Sequence, residues 1–237
     1  MRVSRRIFLA DAGKAIIAAG LIGAACSDQG DAPPSLTAEV RGGSRWNPVD
    51  LGSVYAFVVV REGEAAIIDT GVAGSADDIE AVLTAPGLVG WDDVGHVILT
   101  HSHPDHAGSL AQVLERAPEA VGYIGAGDKD SVTSPRPLTT VGDGDTIMAL
   151  EVVETPGHTP GHICLLDREL STLFAGDALT GSDGTVAGPN ARFTADMPMA
   201  VGSVSKLAAL TFETIAFGHG APVDATADDL TGLVAAK

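Results

Sequence analysis

The sequence predicts a single layered α/β domain, and three observations lead to this prediction. Hydrophobic residues make up 45% of the 237-residue chain, which is enough for one sizeable core. From about residue 38 onward, short apolar runs alternate with amphipathic segments, which favours α/β layers over an all-β sandwich. Aromatic residues are only 4%, while 29 glycines and 13 prolines indicate many turns. We therefore expect one domain over residues 38–237.

The predicted elements follow one another along this domain. Strands are expected at Ser53–Val60, Ala65–Asp69, Val94–Thr100, Val121–Ile124, Ile147–Val153, Ile163–Leu166, Thr172–Phe174 and Thr214–Phe217. Each is a short apolar run bounded by turn residues. Helices are expected at Ser75–Leu83, His106–Arg116, Met199–Ala209 and Ala225–Ala235.

Residues 1–26 have the pattern of an export signal. Arg5 and Arg6 form a twin-arginine region, and an uninterrupted apolar run follows over residues 15–25. This run is too short to cross the roughly 30 Å hydrocarbon core of a membrane as a helix. We therefore predict export through the twin-arginine machinery, to the periplasm or the outer face of the cytoplasmic membrane.

Cys26 ends the apolar run and resembles the cysteine of a lipoprotein processing site. Lipidation would anchor the mature chain to the membrane, and the alternative is plain cleavage and release. The polar stretch over residues 27–37 would then be a tether. Since Cys164 is the only other cysteine, a disulfide framework is excluded.

The net charge is −17, which makes nucleic acid a poor partner because an acidic surface repels phosphate backbones. We expect a small-molecule substrate instead. The only membrane contact that the sequence predicts is the lipid anchor at Cys26.

Four side chains of the metal-ligand type fall within six residues directly after a predicted strand. They are His101, His103, Asp105 and His106, which follow Thr100. Packing does not explain so many imidazoles in one turn, whereas a metal site does. His101 and His103 can face one metal, while Asp105 and His106 can face a second.

Three further ligand-type side chains lie downstream in glycine-containing turns and complete two coordination spheres. The expected ligands are His101, His103 and His158 for the first metal, Asp105, His106 and His219 for the second, and Asp177 as a bridge between them. Each metal keeps an open position for water, as a catalytic site requires.

This ligand set resembles that of the metallo-β-lactamase superfamily, in the family's order and approximate spacing, between about residues 40 and 222. The resemblance implies an αββα sandwich, in which two mixed sheets face each other with helices outside. It also implies that Asp69 supports the metal loop without binding metal. We interpret His162 as a supporting residue of the same kind.

The expected cofactor is a pair of zinc ions, with iron as the alternative. Two cations that share a water lower its pKa toward about 7, so that a metal-bound hydroxide exists at neutral pH. It would attack the carbonyl carbon of an ester, thioester, lactone or amide. Asp105 is the expected catalytic residue, which orients the hydroxide and passes on a proton.

The resemblance also bears on the substrate. Asp at position 177 is typical of glyoxalase II-like thioesterases and lactonases, whereas lactamases of the family tend to carry Cys or Ser there. Only 18 residues follow His219, which argues against glyoxalase II proper with its helical glutathione-binding region. The alternatives are β-lactamase activity and a mononuclear iron persulfide dioxygenase.

Two loops are expected to contact the substrate. In the loop over residues 41–50, Trp46 is interpreted as an apolar lid, and the alternative is that it packs on the domain edge. The second loop is Gly181–Asp196, which is rich in Gly, Ser and Asp and follows Asp177 closely.

Overall fold

The computed structural model describes residues 44–235 and confirms the predicted single α/β sandwich. The export signal, Cys26 and the tether lie outside the described residues. Over residues 44–235, no helix combines the length and the apolar character needed to cross a membrane.

Strands dominate residues 44–235, and five helices within these residues connect or cover them. The strands are β1 (Arg45–Asp50), β2 (Tyr55–Arg61), β3 (Glu64–Ile68), β4 (Val94–Ile98), β5 (Val121–Gly125), β6 (Thr139–Val141), β7 (Thr146–Ile147), β8 (Leu150–Glu154), β9 (Ile163–Asp167), β10 (Thr172–Gly176), β11 (Thr180–Ser182), β12 (Thr185–Ala187), β13 (Thr214–Phe217) and β14 (Val223–Asp224). The helices are α1 (Ala76–Leu83), α2 (Pro104–Ala107), α3 (Leu110–Arg116), α4 (Met197–Leu207) and α5 (Ala227–Ala235). Single 3₁₀ segments lie at Trp91–Asp93 and Ala126–Ser131.

Two mixed six-stranded sheets form the sandwich. The first has the order β1-β2-β3-β4-β5-β6, antiparallel up to β3 and parallel from β3 onward. The second has the order β14-β13-β10-β9-β8-β7, in which only β10 and β13 run parallel. Strands β11 and β12 form a separate hairpin.

The core has three layers because both sheets are covered on both faces. On β2, Phe57 and Val59 point between the sheets, whereas Val58 and Val60 pack under α1 and α3. On the second sheet, Leu166 belongs to the outer layer that α4 and α5 cover. Burial on both faces explains why these strands are apolar throughout rather than alternating.

Trp46 corrects one prediction, because it lies in a strand and not in a loop. It belongs to β1, is 2% exposed and packs edge-on against Phe57 and Phe174, with ring centroids 5.8 and 5.7 Å apart. Its indole N–H donates a hydrogen bond to Thr172 Oγ1 at 3.0 Å. The lid interpretation is wrong. The large apolar ring fills the layer between the sheets, and its one polar atom is satisfied there.

The predicted helix His106–Arg116 is two helices, α2 and α3, separated at Gly108. A Cβ on Gly108 would lie 2.4 Å from the carbonyl oxygen of Pro104 and 2.6 Å from the backbone nitrogen of Ala73. The Gly108 N–H donates to the Gly71 carbonyl at 2.8 Å. Contact with this neighbouring loop therefore interrupts the helix, and helical periodicity does not reveal such a contact.

Two tight hairpins also depart from the predicted elements. The predicted strand Ile147–Val153 turns back on itself at Met148 and Ala149, which adopt φ values of 48° and 63°. Residues other than glycine rarely adopt positive φ values in a hairpin turn, so the sequence carries no signal for this turn. Within the predicted loop Gly181–Asp196, the Asp183-Gly184 pair turns β11 into β12. That pair is a common hairpin signal.

Candidate metal centre

The seven predicted ligands converge at one edge of the sandwich, in turns that follow β4, β8, β10 and β13. Two clusters result, within each of which the donor atoms lie within 4.8 Å of one another. We call them the first cluster, with His101, His103, His158 and Asp177, and the second cluster, with Asp105, His106 and His219. This grouping matches the two predicted coordination spheres.

The first cluster brings three imidazole nitrogens together. His103 Nδ1 lies 3.1 Å from His101 Nε2 and 2.9 Å from His158 Nε2. One ring nitrogen carries at most one hydrogen, so His103 cannot donate to both neighbours. Converging lone pairs of this kind are satisfied by a cation, and imidazole nitrogens are preferred zinc ligands.

The second cluster combines carboxylate and imidazole donors. His219 Nε2 lies 3.3 Å from Asp105 Oδ2, which is 4.0 Å from His106 Nε2. Asp105 and His219 are partly exposed, whereas His106 is fully buried. The cluster therefore opens toward solvent on the side of Asp105 and His219.

Asp177 belongs to the first cluster and also contacts the second. Its Oδ2 is 3.3 Å from His158 Nε2 and 3.4 Å from His219 Nε2, and its Oδ1 is 3.3 Å from His106 Nε2. Neither this Oδ1 nor His106 Nε2, both buried, has a hydrogen-bond partner. Tetrahedral zinc with ligands at roughly 2.0–2.1 Å separates donor atoms by about 3.4 Å. The residues present thus fit two divalent cations, and Asp177 is placed where it could bind either of them.

The remaining nitrogen of four histidines is held by an oxygen, which leaves Nε2 to face the centre. The four pairs are His101 Nδ1 with Thr100 Oγ1 at 3.0 Å, His106 Nδ1 with Asp69 Oδ2 at 2.8 Å, His158 Nδ1 with Thr194 Oγ1 at 3.4 Å, and His219 Nδ1 with the Ser53 carbonyl at 2.6 Å. Carboxylate and carbonyl oxygens only accept, so in those pairs Nδ1 donates and Nε2 is the nitrogen left to bind a metal. Such partners fix the orientation of metal-binding imidazoles.

Asp69 contacts the loop that carries the ligands without reaching the centre itself. Its Oδ1 accepts from the Thr100 backbone N–H, and its Oδ2 accepts from the Thr100 hydroxyl and from His106 Nδ1, all at 2.8 Å. Its φ of 59° is a left-handed conformation, the kind of local strain that concentrates at functional sites. These contacts are those expected of a supporting residue.

His162 supports the Asp177 turn. Its Nε2 accepts a hydrogen bond from the Asp177 backbone N–H at 3.0 Å, so its Nδ1 carries the hydrogen and donates to Thr155 Oγ1 at 2.8 Å. Burial lowers the pKa of His162 to about 3, which keeps the ring neutral. Both ring nitrogens of His162 are therefore engaged in hydrogen bonds, and neither is free to bind a metal.

The charge state of the centre suits a cation. Burial, followed by the neighbouring imidazoles, holds the pKa of His101 well below its usual range. Burial also lowers the pKa of His158 to about 4, against the opposing effect of Asp177. At His106, burial is outweighed by Asp69 and Asp177, which raise its pKa to about 10. Burial would raise the pKa of Asp177, but His106 outweighs it and lowers the value to about 2. A divalent cation would compete with that proton on His106.

Two glycines allow the ligand turns to approach one another. A Cβ on Gly218 would lie 2.4 Å from Asp177 Oδ1 and 2.5 Å from His106 Cε1. A Cβ on Gly176, whose φ is 49°, would lie 2.7 Å from His162 Nε2. Each position therefore requires glycine for steric reasons.

The loop Gly181–Asp196 contacts the predicted metal ligand His158. Two residues that contact the ligand loops, Thr194 and Asp128, were not identified from the sequence. Thr194 contacts the His158 ring, and the Ala195 N–H donates to the His158 carbonyl at 3.1 Å. Asp128 is buried against the first cluster's loops. Neither residue stands out in the sequence, because an isolated Thr in a loop and an Asp in an acidic run read as solvent-exposed side chains.

Comparisons with known proteins agree with this geometry. A family model described as the Metallo-beta-lactamase superfamily matches residues 49–219. The chain is 29% identical over 202 residues to the uncharacterized protein YobT of Bacillus subtilis (strain 168), covering 72% of this chain and 84% of that protein. It is 34% identical over 172 residues to a hydroxyacylglutathione hydrolase of Rhodospirillum rubrum, covering 70% of this chain and 61% of the relative.

Solved structures show the same fold. The metallo-beta-lactamase family protein TTHA1429 from Thermus thermophilus superposes with a TM-score of 0.66 at 22% identity, over 82% of this chain and 79% of that one. The archaeal superfamily protein ST1585 from Sulfolobus tokodaii gives 0.64 at 19%, over 81% and 85%. TTHA1623 in a di-iron-bound form gives 0.57 at 24%, over 81% and 92%. The chain therefore belongs to the metallo-beta-lactamase superfamily and is a metallo-hydrolase.

Proposed function

We propose that this metallo-hydrolase is a dinuclear, zinc-dependent enzyme that cleaves a small carbonyl compound, with thioesters first among the candidate substrates. The observation that supports two cations is the position of Asp177, which lies 3.3–3.4 Å from one histidine of the first cluster and two of the second. A mononuclear site would leave the second cluster, with its buried and unpartnered His106 Nε2, without a purpose.

Two bound divalent cations would supply Lewis acidity toward the carbonyl oxygen and lower the pKa of water toward about 7. In this proposal, the ligands of the first metal are His101, His103 and His158, those of the second are Asp105, His106 and His219, and Asp177 is shared. The chain itself fixes the imidazoles through Thr100, Asp69, Thr194 and Ser53. That preorganisation reduces the rearrangement needed during the reaction.

Asp105 is the proposed catalytic acid–base. Its side chain is 38% exposed, and its Oδ2 lies 3.3 Å from His219 Nε2. A carboxylate at the solvent-facing side of the centre can accept a proton from the attacking water and pass it to the leaving group. Phe193, which is 56% exposed and adjacent to Thr194, offers an apolar contact for the substrate on the same loop that braces His158.

Thioester chemistry is supported by two observations. The Rhodospirillum rubrum relative is named a hydroxyacylglutathione hydrolase, and the chain spans about three fifths of its length. Asp at position 177 also distinguishes this chain from lactamases of the family, which tend to carry Cys or Ser there. β-Lactam hydrolysis and persulfide oxidation by a single iron are the alternatives that the experiments must separate.

Metal content measured by mass spectrometry, together with hydrolysis of thioesters, lactones and β-lactams, tests the proposal. We expect two zinc ions per chain, which fall to one or none in Asp177→Ala with at least about a 100-fold loss of activity, more than a supporting residue would cost. Asp224→Ala, an exposed position on β14, is the matched control and should keep both ions. A single iron per chain with persulfide oxidation would overturn the dinuclear hydrolase.

We also propose export by the twin-arginine machinery and lipidation at Cys26, supported by the sequence of residues 1–26. Replacement of Arg5 and Arg6 by Lys should retain the chain in the cytoplasm. Cys26→Ser should move the exported chain from the membrane to the soluble periplasmic fraction. If Cys26→Ser leaves the distribution between fractions unchanged, plain cleavage and release is the correct alternative.

A further inference from the structure

Asp128 is a buried carboxylate outside both ligand clusters. It lies in the 3₁₀ segment Ala126–Ser131 that follows β5, and it is 1% exposed. Its Oδ2 accepts hydrogen bonds from the Ser102 backbone N–H at 2.8 Å and from the Thr159 hydroxyl at 2.7 Å. Its Oδ1 accepts from the Gly161 backbone N–H at 2.7 Å. All three donors belong to loops that carry histidine ligands.

These donors lie next to ligands of the first cluster. Ser102 stands between His101 and His103, and Thr159 directly follows His158. One carboxylate oxygen therefore joins the two loops that supply all three imidazoles of this cluster. A change in that link would alter the distance between His103 Nδ1 and His158 Nε2, which is 2.9 Å.

The link is rigid because the segments approach at the level of their backbones. A Cβ on Gly161 would lie 2.3 Å from the Asp128 backbone nitrogen, and a Cβ on Gly127 would lie 2.7 Å from the Pro160 carbonyl. The 3₁₀ segment and the loop that follows β8 thus touch without intervening side chains. Small displacements of Asp128 would be passed directly to the ligand loops.

The charge of Asp128 is stabilised by these donors. Within residues 44–235, no Lys, Arg or His forms an ion pair with it. A buried carboxylate without a cationic partner costs free energy unless its oxygens accept hydrogen bonds. The Ser102 and Gly161 N–H groups and the Thr159 hydroxyl meet that requirement. In turn, the carboxylate holds them in place.

We propose that Asp128 is a positioning residue that sets the geometry of the first cluster through Ser102 and Thr159. Asp69 has the corresponding place beside the second cluster, where it holds His106. The proposal rests on the proposed dinuclear centre. It predicts a loss of metal affinity that is confined to one of the two sites.

The experiment measures zinc affinity by chelator competition in the full chain, for Asp128→Asn in two backgrounds. His219→Ala disables the second cluster and leaves the first, whereas His103→Ala does the reverse. Asn keeps the shape of Asp but presents an amide N–H₂ to at least one of the donors. We expect a roughly 10–100-fold loss of affinity when the first cluster remains, and no change when the second remains.

Asp167→Asn is the matched control for general destabilisation. Asp167 is also fully buried, and it accepts hydrogen bonds from the Glu169 and Leu170 N–H groups at 3.0 Å and from Arg61 Nη2 at 2.8 Å. It lies at the end of β9, outside the ligand clusters. We expect it to lower the melting temperature and to leave both zinc affinities unchanged.

Thr159→Val is a milder variant that removes only one hydrogen bond to Asp128 and tests the proposal if Asp128→Asn does not fold. It should weaken the first site alone, and the visible spectrum of Co²⁺ bound there should change. Equal losses at both sites, or a lowered melting temperature with unchanged affinities as in Asp167→Asn, would overturn the positioning role. Absence of metal binding by the unsubstituted chain would instead overturn the proposed function.

Discussion

The first and second clusters differ in their access to solvent. His101 and His158 of the first cluster are buried, whereas the side chains of Asp105 and His219 in the second are 38% and 33% exposed. Water can therefore reach the clusters from the side of Asp105 and His219. In the proposed dinuclear centre, the second metal would therefore exchange faster.

The clusters also differ in how their ligands are held. In the first, neighbouring loops are joined by Asp128. In the second, His219 is oriented from the other sheet by the Ser53 carbonyl, and Gly218 leaves room for Asp177. The motif around residues 101–106 thus contributes to both clusters, while separate long-range contacts complete each one.

Gly218→Ala tests whether the second cluster requires the space that Gly218 leaves beside Asp177 and His106. It has the largest expected effect. The new methyl group would lie 2.4 Å from Asp177 Oδ1 and 2.5 Å from His106 Cε1. We expect zinc content to fall from two ions toward one, with at least about a 100-fold loss of activity.

Gly202→Ala in α4 is the control, because its Cβ would meet nothing within 4 Å. It should keep both ions and stabilise the fold by about 0.5–1 kcal/mol, as measured by denaturant unfolding. If Gly218→Ala kept two ions, close approach of the turns would not govern the second cluster.

Asp69→Asn probes the same contrast through the support of His106. Loss of the acceptor for His106 Nδ1 should lower zinc affinity at the second cluster by roughly 10–100-fold. A smaller loss is expected at the first cluster, because Thr100 connects Asp69 to His101. Stepwise zinc titration measures both values, and equal losses would show that the two clusters share one support.

Trp46→Phe tests whether Trp46 contributes to the stability of the core and not to the activity of the metal centre. Loss of ring volume and of the hydrogen bond to Thr172 should lower the free energy of unfolding by about 1–3 kcal/mol. Neither cluster contacts Trp46, so KM and kcat should stay within a factor of two or so of the original values. A tenfold change in KM without a loss of stability would contradict this separation between core and site.

Cys164 tests whether the core layer under α4 and α5 is closed to solvent and reagents, and its expected effect at neutral pH is the smallest. Burial raises the pKa of this thiol from 9.0 to about 12. Because the folded value exceeds the unfolded one, its stabilising contribution is present below pH 9 and lost as the pH rises toward 12. In a Cys26→Ser chain, iodoacetamide labelling should stay slow at pH 7–9 and become fast in denaturant. Rapid labelling of the folded chain would contradict this closure.

The site was more predictable than the elements that build it. Metal ligands can be identified from residue type and spacing, as in the segment from His101 to His106, because packing alone rarely explains so many such side chains in one turn. The interruption at Gly108 depends on contact with the distant loop at Gly71, and the hairpin at Met148 and Ala149 contains no glycine, so neither has a local signal. Asp128 was missed for the same reason.

Residue type and order were enough to establish the α/β class, the seven candidate ligands and their division into two sets, because they limit what metal chemistry is available. The folded arrangement was needed to show that Trp46 belongs to the core, that Asp177 contacts both clusters, that Asp69 holds His106, and that Asp128 joins two ligand loops. Those roles depend on distances of about 3 Å between residues far apart in the chain, and such distances arise only when distant strands pair within a sheet and the two sheets pack together.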